Sequence, residues 1–250
     1  MYGNNKLGKY RMLLKEKTLA RHLPPTKLAT LAHVRAMLRK YRAVYLKPSH
    51  GTGGSGIFKL SSVQGGCQLR HGTHSRVYST LEQAYSAYDK SRPRKTYLVQ
   101  MGIPLLGYRR RPFDLRVMVQ RNPRREWEAT GIVGRLAMPG KVVTNYHSGG
   151  RPMPAETLLA PSIGSGRMKV YRLRLEALGL RVSRHMSVHF PRFQAYGIDI
   201  GIDRNLKPWI IEVNSRPDKS IFNALSDKRM YRKIMRYGRQ SYARAHRAKR

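Results

Sequence analysis

Two carboxylates and a carboxamide stand out near the end of the chain, because the residues around them alternate as in β-strands. Asp199 lies in the run 197–203, and Glu212 and Asn214 lie in the run 209–214. Side chains alternate along a strand, so Glu212 and Asn214 point to one face, where Asp199 can meet them across a hairpin. Such oxygen ligands suit Mg²⁺, which shares its remaining positions with water and phosphates. The alternative is an ordinary hairpin whose polar residues face water, since Asp and Asn are common near turns.

A glycine loop between two apolar strands is the second candidate site. Residues 44–60 read VYLKPSHGTGGSGIFKL, with Lys47 at the base of the loop. Glycines permit positive-φ turns in which successive N–H groups point at a phosphate, and a lysine adds a point charge. The glycines concerned are Gly51, Gly53, Gly54 and Gly56.

Three better-known phosphate motifs fit this loop poorly. The G-x-G-x-x-G spacing is met, but the dinucleotide fingerprint requires a helix after the loop, and a strand-like run follows here. A Walker A loop ends in Gly-Lys-Ser/Thr, whereas this loop ends in Gly56-Ile57, and no H-R-D or D-F-G kinase motif follows. A flap between two strands remains, and a glycine-rich hairpin without a ligand is its structural alternative.

The elements predicted around these sites mix helices with antiparallel strands, which favours an α+β fold over a doubly wound sheet. Pro24 and Pro25 break any preceding helix, and Thr26 is expected to cap a helix that runs to Tyr41. The turn between the last two strands, 203–207, lacks a glycine, but Asn205 can adopt the left-handed conformation. Further helices are predicted at 80–89, 167–178 and 183–189, strands at 43–47, 96–101, 113–121 and 127–136, and loops at 148–154 and 161–166.

Charge and composition limit the classes of partner. The chain has 50 Lys and Arg against 13 Asp and Glu, a net charge of +37, and ten of the basic residues lie in 228–250. Charge spread this widely indicates general attraction to polyanions, and no helix-turn-helix, zinc-finger or RNP-like signature predicts specific nucleic-acid binding. The single cysteine, Cys67, excludes an internal disulfide and is compatible with a reducing cytosol. Neither a membrane span nor a secretion signal is expected, because no long apolar run occurs.

Five motifs follow one another along the chain: Lys47-Pro48 with the glycine loop, YLVQMGI at 97–103, RPFDLRV at 111–117, VTNYHSGG at 143–150, and Asp199 through EVN at 212–214. Together, and in this order, they resemble the ATP-grasp fold. More closely, the chain resembles the YheC/YheD group, the endospore coat-associated proteins of spore-forming bacteria. The phrases HLPPT at 22–26 and EVNSRP at 212–217 strengthen that closer match.

The resemblance implies two α+β subdomains that enclose a nucleotide site. Residues 26–102 would form the glycine-loop subdomain and residues 103–225 the metal-site subdomain. A basic N-terminal segment, 1–25, and a basic, helical C-terminal tail, 226–250, would flank them. ATP-grasp enzymes typically carry a sizeable N-terminal domain that helps to bind the acceptor, and Lys47 comes too early for a full one.

The same resemblance implies roles for the nucleotide-binding residues. Lys47 would contact the phosphates of ATP, and the glycine loop would close over them. Gln100 would lie in the hinge beside the adenine, and backbone groups from Met101 to Ile103 would supply the adenine hydrogen bonds.

It also implies the residues that act on the phosphoryl group. Arg116 and Arg135 would stabilise phosphate charge, and Asn145 would lie near the γ-phosphate and the acceptor. Asp199, Glu212 and Asn214 would hold magnesium ions.

In enzymes of this fold, a substrate carboxylate takes the γ-phosphoryl group and an amine or thiol then attacks the acylphosphate. The expected partners are therefore ATP with Mg²⁺, a substrate that carries a carboxylate, and an amine. An acidic peptide or polymer would be a carboxylate substrate that suits the basic surface. Localisation in the cytoplasm and at the spore coat, with coat proteins as partners, follows only from the resemblance. The alternative is a non-catalytic coat or polyanion-binding protein with a vestigial or regulatory nucleotide site.

Overall fold

Two antiparallel sheets, each with its own apolar core, organise the chain. The computed structural model describes residues 2–51, 53–139 and 149–247, with side chains as far as residue 240. Its helices are α1 Lys6–Leu14, α2 Lys17–Ala20, α3 Leu31–Tyr41, α4 Leu81–Ser91, α5 Ala155–Ile163, α6 Ser165–His189, α7 Ser220–Asn223 and α8 Arg229–Arg247. Its strands are β1 Thr26–Leu28, β2 Ala43–Pro48, β3 Phe58–Val63, β4 Gly66–His71, β5 His74–Tyr78, β6 Tyr97–Met101, β7 Gly107–Tyr108, β8 Arg111–Arg121, β9 Trp127–Leu136, β10 Arg151–Pro154, β11 Ala195–Ile202 and β12 Pro208–Asn214.

The first sheet carries the glycine loop between neighbouring strands. Its strand order is β1-β6-β2-β3-β4-β5, and the loop joins β2 to β3. Helices α3 and α4 cover this sheet, and the core between them buries residues such as Val34, Leu46, Phe58, Tyr88 and Val99. The apolar spacing of the α3 segment therefore packs this helix against β2 and β6.

The second sheet, β10-β9-β8-β11-β12, has helices on both faces. Alternate residues of β8, among them Phe113, Leu115 and Val117, enter the core under α5 and α6. On the other face, Met118 packs with Ile234 of α8. The rest of that face carries charged side chains that point toward the first sheet. Because side chains alternate along a strand, the apolar residues enter the core on one face and the charged residues of the candidate site lie on the other.

The N-terminal helices belong to the second core. Met12, Leu13, Leu19 and Leu23 are buried in the cluster that α6 and the second sheet form. Residue Ile210 of β12 donates its N–H to the carbonyl of His22 at 2.7 Å. The basic segment 1–25 is therefore packed into the fold along much of its length.

Several sequence predictions need correction in the first half of the chain. Thr26 does not cap a helix, because it pairs with Gln100 as part of the edge strand β1. Thr30 caps α3 instead, and its side chain accepts a hydrogen bond from the N–H of His33 at 3.2 Å. The predicted helix at 80–89 and the strands at 43–47, 96–101, 113–121 and 127–136 are confirmed with small changes at their ends.

Most described residues of the segments predicted as loops, 149–154 and 161–166, belong to a strand or a helix, and residue 148 lies outside the described residues. Residues 151–154 form the edge strand β10, where prolines are tolerated because an edge has one unpaired side. Helix α5 runs through Pro161 and buries Leu158 and Leu159 against the sheet. The two helices predicted at 167–178 and 183–189 are parts of one helix, α6. Gly179, between the two predicted segments, packs closely against β8, where an added Cβ would stand 2.9 Å from Val117 Cγ1.

The turn between β11 and β12 is organised by Asp203. Its Oδ1 accepts the backbone N–H groups of Asn205 at 2.9 Å and Lys207 at 3.0 Å, and its Oδ2 accepts Trp209 Nε1 at 2.8 Å. The residue that adopts the left-handed conformation is Leu206, with φ of 58°, and not Asn205. The hydrogen bonds to Asp203 fix the turn, and the positive φ falls on Leu206, one residue after Asn205.

No helix within the described ranges has the length and apolar character required to cross a bilayer.

Candidate functional site

A cavity of about 300 Å³ lies between the two sheets and collects most of the candidate residues. The first sheet and its glycine loop contribute Lys47, Gly51 and Gly54, and the second contributes Asp199 and Glu212. Apolar residues such as Ile103, Leu105 and Ile211 line the same space. A largely apolar cavity with a few convergent polar groups is the usual form of a ligand site.

Lys47 is a buried cation at the base of the glycine loop. Its Nζ donates to Gln100 Oε1 at 2.6 Å and to the carbonyl of Ile211, across the cavity, at 3.3 Å. Burial lowers the pKa of Lys47 to about 8, although the carboxylate of Glu212 opposes the shift. An anion entering the cavity would therefore meet a positive charge with little water around it.

Gln100 orients this lysine. Its side chain is 6% exposed, accepts from Lys47, and donates to Thr26 Oγ1 at 3.0 Å. The threonine hydroxyl in turn donates to the carbonyl of Pro24 at 2.8 Å. The side chain predicted to lie beside an adenine is thus engaged in a chain of hydrogen bonds that holds Lys47.

The hinge segment after Gln100 lines the cavity through Met101 and Ile103. The N–H groups of Met101 and Gly102 donate to the carbonyls of Pro25 and Ala43, each at 2.9 Å. The predicted adenine hydrogen bonds would therefore involve other backbone groups of this segment.

The glycine loop has the backbone that its sequence predicts. Gly51, Gly53, Gly54 and Gly56 have φ values of 128°, 75°, 78° and 69°, which residues with a Cβ rarely adopt. At Gly56 an added Cβ would also lie 2.8 Å from Tyr97 Oη. Conformation and close packing both demand glycine at that position.

Four charged side chains form a buried network on the second sheet. Asp114 and Arg135 face each other across β8 and β9, and Arg116 and Asp199 face each other across β8 and β11. Arg135 binds Asp114 through Nε at 2.7 Å and Nη2 at 2.6 Å, and its Nη2 also lies 3.0 Å from Asp199 Oδ2. Arg116 binds the same aspartate through two nitrogens.

The two arginines keep Asp199 charged. Burial alone would raise the pKa of Asp199, but Arg116 and Arg135 outweigh this effect and hold the pKa below its usual range. The two predicted phosphate-stabilising arginines are therefore both paired with buried carboxylates. Asp114, which contacts Arg135 and lines the cavity, was missed as a site residue, although it stands two positions before Arg116.

The three predicted metal ligands come together on the hairpin of β11 and β12. Asp199 and Glu212 are direct cross-strand partners, and Asn214 Nδ2 lies 3.5 Å from Asp199 Oδ2. A β-bulge shifts the register after Asp199, so that Ile211 is the extra residue on β12. The bulge brings the carbonyl of Ile211 to Lys47 while Glu212 still faces the cavity.

The donor set fits a hard cation in its chemistry. Two carboxylates and a carboxamide are oxygen donors of the kind Mg²⁺ prefers. Within the described ranges, no group of three or more His, Cys, Asp and Glu side chains is suited to a metal ion, so the carboxamide of Asn214 is part of the candidate set. Glu212 is the most accessible of the two carboxylates, with its side chain 24% exposed against 5% for Asp199.

Lys6, on the N-terminal helix, is a site residue that the sequence analysis did not identify. Its Nζ lies 3.1 Å from Glu212 Oε1 and donates to the carbonyl of Gly51 at 2.7 Å. The candidate residue Asn145 lies outside the described residues.

Solved structures share this architecture. An N5-carboxyaminoimidazole synthase from Aspergillus clavatus, solved in complex with ADP and a ribonucleotide, is 10% identical with a TM-score of 0.53, over 86% of this chain and 45% of that one. The C-terminal domain of an ATP-grasp enzyme from K. lactis, which interacts with an mRNA decapping enzyme, is 15% identical with a TM-score of 0.51, over 90% and 67%. These likenesses concern the fold, which is the ATP-grasp fold.

The sequence places the chain within one group of that fold. Residues 2–244 match the family described as YheC/D like ATP-grasp, and the chain belongs to it, so the predicted resemblance is confirmed. The endospore coat-associated protein YheD of Bacillus subtilis is 29% identical over 227 residues, and YheC of the same organism is 20% identical over 203. These matches cover 88% and 79% of this chain but 49% and 55% of the relatives, so the chain spans about half the length of the curated relatives it matches.

Proposed function

We propose that the cavity between the two sheets binds ATP with magnesium. The observation that carries this proposal is the convergence of three features from two distant parts of the chain. They are the buried ammonium of Lys47, a positive-φ glycine loop above it, and the carboxylate of Glu212 facing it from the second sheet. Membership of the ATP-grasp family supports the same assignment.

Each side chain then has a definite task. Lys47 binds phosphate oxygens, and the N–H groups of the loop from Gly51 to Gly56 surround them. Glu212 and Asn214, with Asp199, would hold magnesium, which neutralises phosphate charge when it is bound. The hinge from Met101 to Ile103 lies against the base.

Arg135, which lines the cavity, and Arg116, which binds the same aspartate, are proposed to stabilise charge that develops during phosphoryl transfer. Arg116 and Arg135 are held rigidly by Asp114 and Asp199, so they need no reorganisation when negative charge grows nearby. Each guanidinium has five N–H donors, more than its aspartate contacts use. Asn145 keeps its proposed role near the γ-phosphate and the acceptor.

We propose that the reaction is a ligation through an acylphosphate. A carboxylate oxygen of the substrate attacks the γ-phosphorus, and ADP leaves with the electrons of the broken P–O bond. An amine, or a thiol, then attacks the acyl carbon, phosphate leaves, and the nucleophile loses its proton. Catalysis of this kind rests on positioning and charge stabilisation, and it requires no side-chain nucleophile.

The acceptor and the cellular setting are proposed on less direct grounds. A net charge of +37 suits an acceptor that carries several carboxylates, such as an acidic peptide or polymer. The names of the curated relatives support association with the endospore coat. The same charge favours one alternative, a polyanion-binding coat protein whose nucleotide site is regulatory.

Calorimetric titration tests the assignment. MgATP is titrated into the wild-type protein and into a Glu212→Ala/Asn214→Ala double variant, at moderate salt to suppress nonspecific anion binding. Binding that is lost in the variant supports the metal-nucleotide site, and carboxylate and amine pairs are then screened for ADP release. Equal binding by both proteins, or by neither, would contradict the site.

A further inference from the structure

Lys6 joins the two halves of the cavity through a single ammonium group. Its Nζ lies 3.1 Å from Glu212 Oε1 on the second sheet and 2.7 Å from the carbonyl of Gly51 in the glycine loop. Its own N–H donates to the carbonyl of Ser49 at 3.0 Å, just before the loop. The side chain is only 14% exposed, so these contacts are made largely away from water.

The helix that carries Lys6 is fixed to the second sheet. Asn5 caps α1 by accepting the N–H of Gly8 at 2.8 Å. One turn along, Lys9 Nζ donates to the carbonyl of Val213 at 2.9 Å, directly after Glu212. Met12 is buried in the second core. The packing of α1 against the second sheet therefore holds Lys6 in the wall of the cavity.

The charges around Glu212 are unbalanced in favour of an anion. Lys6 forms an ion pair with this carboxylate, and Lys47, which lines the same cavity, interacts with its charge. The neighbouring guanidinium groups of Arg116 and Arg135 are matched by Asp114 and Asp199. Two ammonium groups therefore stand near one carboxylate beside the glycine loop, and only Lys6 contacts it.

We propose that Lys6 is a phosphate-binding residue of the nucleotide site and that its ammonium gives up Glu212 to magnesium when nucleotide binds. The inference rests on the proposed function. A magnesium ion at Glu212 would repel an ammonium beside the same oxygen, and phosphate oxygens beneath the glycine loop are the nearest alternative acceptors. An ammonium has three donors in a flexible side chain, so it can keep its contact with Gly51 while it changes the other partner.

The exchange also gives the N-terminal helix a part in the response to nucleotide. While Lys6 holds both Glu212 and the loop, it ties the first sheet to the second. Transfer of the ammonium to phosphate keeps that connection, with the nucleotide as an added bridge.

Two affinities that move in opposite directions test this proposal. The variant Lys6→Met keeps the aliphatic stem and removes the charge. ATP affinity is measured at saturating Mg²⁺, where the metal occupies Glu212 in both proteins, and Mn²⁺ affinity is measured on the protein without nucleotide. Loss of a charged hydrogen bond predicts that ATP binds about tenfold to a hundredfold more weakly, and release of Glu212 predicts that Mn²⁺ binds several-fold more tightly.

The controls separate charge from folding. Lys17→Met removes one exposed charge from the same N-terminal segment and should change neither affinity by more than about twofold. Lys6→Gln also removes the charge but retains a hydrogen-bond donor toward Gly51. It should show the same two changes in affinity, and it replaces Lys6→Met if the methionine variant is unstable. Thermal melting identifies that case.

The outcomes are distinct. Weaker ATP binding with tighter Mn²⁺ binding supports the exchange. An unchanged affinity for either ligand in both Lys6 variants would overturn it, even if melting temperatures fall. If the wild-type protein binds no MgATP, the proposed function itself fails, whereas wild-type affinity in the Lys6 variants defeats only this inference.

Discussion

Replacing Lys47 with methionine should separate nucleotide affinity from stability. Methionine keeps a similar stem in the buried position and removes the ammonium that donates to Gln100 and to the carbonyl of Ile211. A lysine outside the cavity, Lys27 on β1, is exposed in the same sheet, and Lys27→Met is the matched control for loss of one charge.

Two effects of Lys47→Met on the free energy of unfolding nearly cancel. Burial, opposed by Glu212, lowers the pKa of Lys47 from 10.5 to about 8, which corresponds to a cost of roughly 3 kcal/mol for keeping it charged in the fold. Methionine removes this cost, but it leaves Gln100 Oε1 without its donor, at a cost of about 1–3 kcal/mol. The free energy of unfolding at pH 7 should therefore change by no more than about 2 kcal/mol.

The effect of Lys47→Met on ATP affinity is not offset in this way. A charged hydrogen bond to phosphate contributes about 1.5–3 kcal/mol, so ATP should bind roughly tenfold to 150-fold more weakly to Lys47→Met. Calorimetric titration gives the affinity, and urea unfolding gives the stability. Wild-type ATP affinity in Lys47→Met, with Lys27→Met also unchanged, would refute the role of Lys47 in phosphate binding.

Three further predictions concern the same cavity. Arg135→Met leaves two buried aspartates without their shared partner and should lower the free energy of unfolding by about 3–5 kcal/mol, measured by urea denaturation; a loss below about 1 kcal/mol would contradict the account. Because the pKa of Lys47 is depressed in the fold, unfolding takes up a proton between about pH 8 and 10.5, so stability should rise with pH across that window by up to roughly 3 kcal/mol more in wild type than in Lys47→Met; parallel pH profiles would refute it. Gly56→Ala should cost more stability than Gly72→Ala, because both glycines have positive φ but only Gly56 has a close neighbour, Tyr97; equal melting temperatures for the two variants would count against that packing.

Local patterns predicted the strands that carry the site. The alternation through 209–214 places Glu212 and Asn214 on one face, and its pairing with Asp199 across the hairpin is the contact expected. The bulge at Ile211 has no comparable signal, because it arises from the register between two strands. The glycine loop was predictable because glycine spacing directly reports the backbone conformations it permits.

Contacts between distant segments could not be predicted in this way. Lys6 and Glu212 are separated by almost the whole chain, and they meet only because α1 packs beside β12. Thr26 fits both a helix cap and an edge strand locally, and its pairing with Gln100 decides between them. Helix α5 was missed because Pro161 suggested a loop, whereas burial of Leu158 against the sheet outweighs that local signal.

A crystal structure with MgATP, or with a nonhydrolysable analogue, tests the central claim most directly. The account predicts phosphate oxygens within hydrogen-bond distance of Lys47 Nζ, beneath the glycine loop, and magnesium about 2.1 Å from an oxygen of Glu212. It also predicts that Lys6 Nζ contacts phosphate and no longer Glu212. Nucleotide bound elsewhere, for example on the basic surface of α8, with Lys47 still bonded only to Gln100 and Ile211, would contradict it.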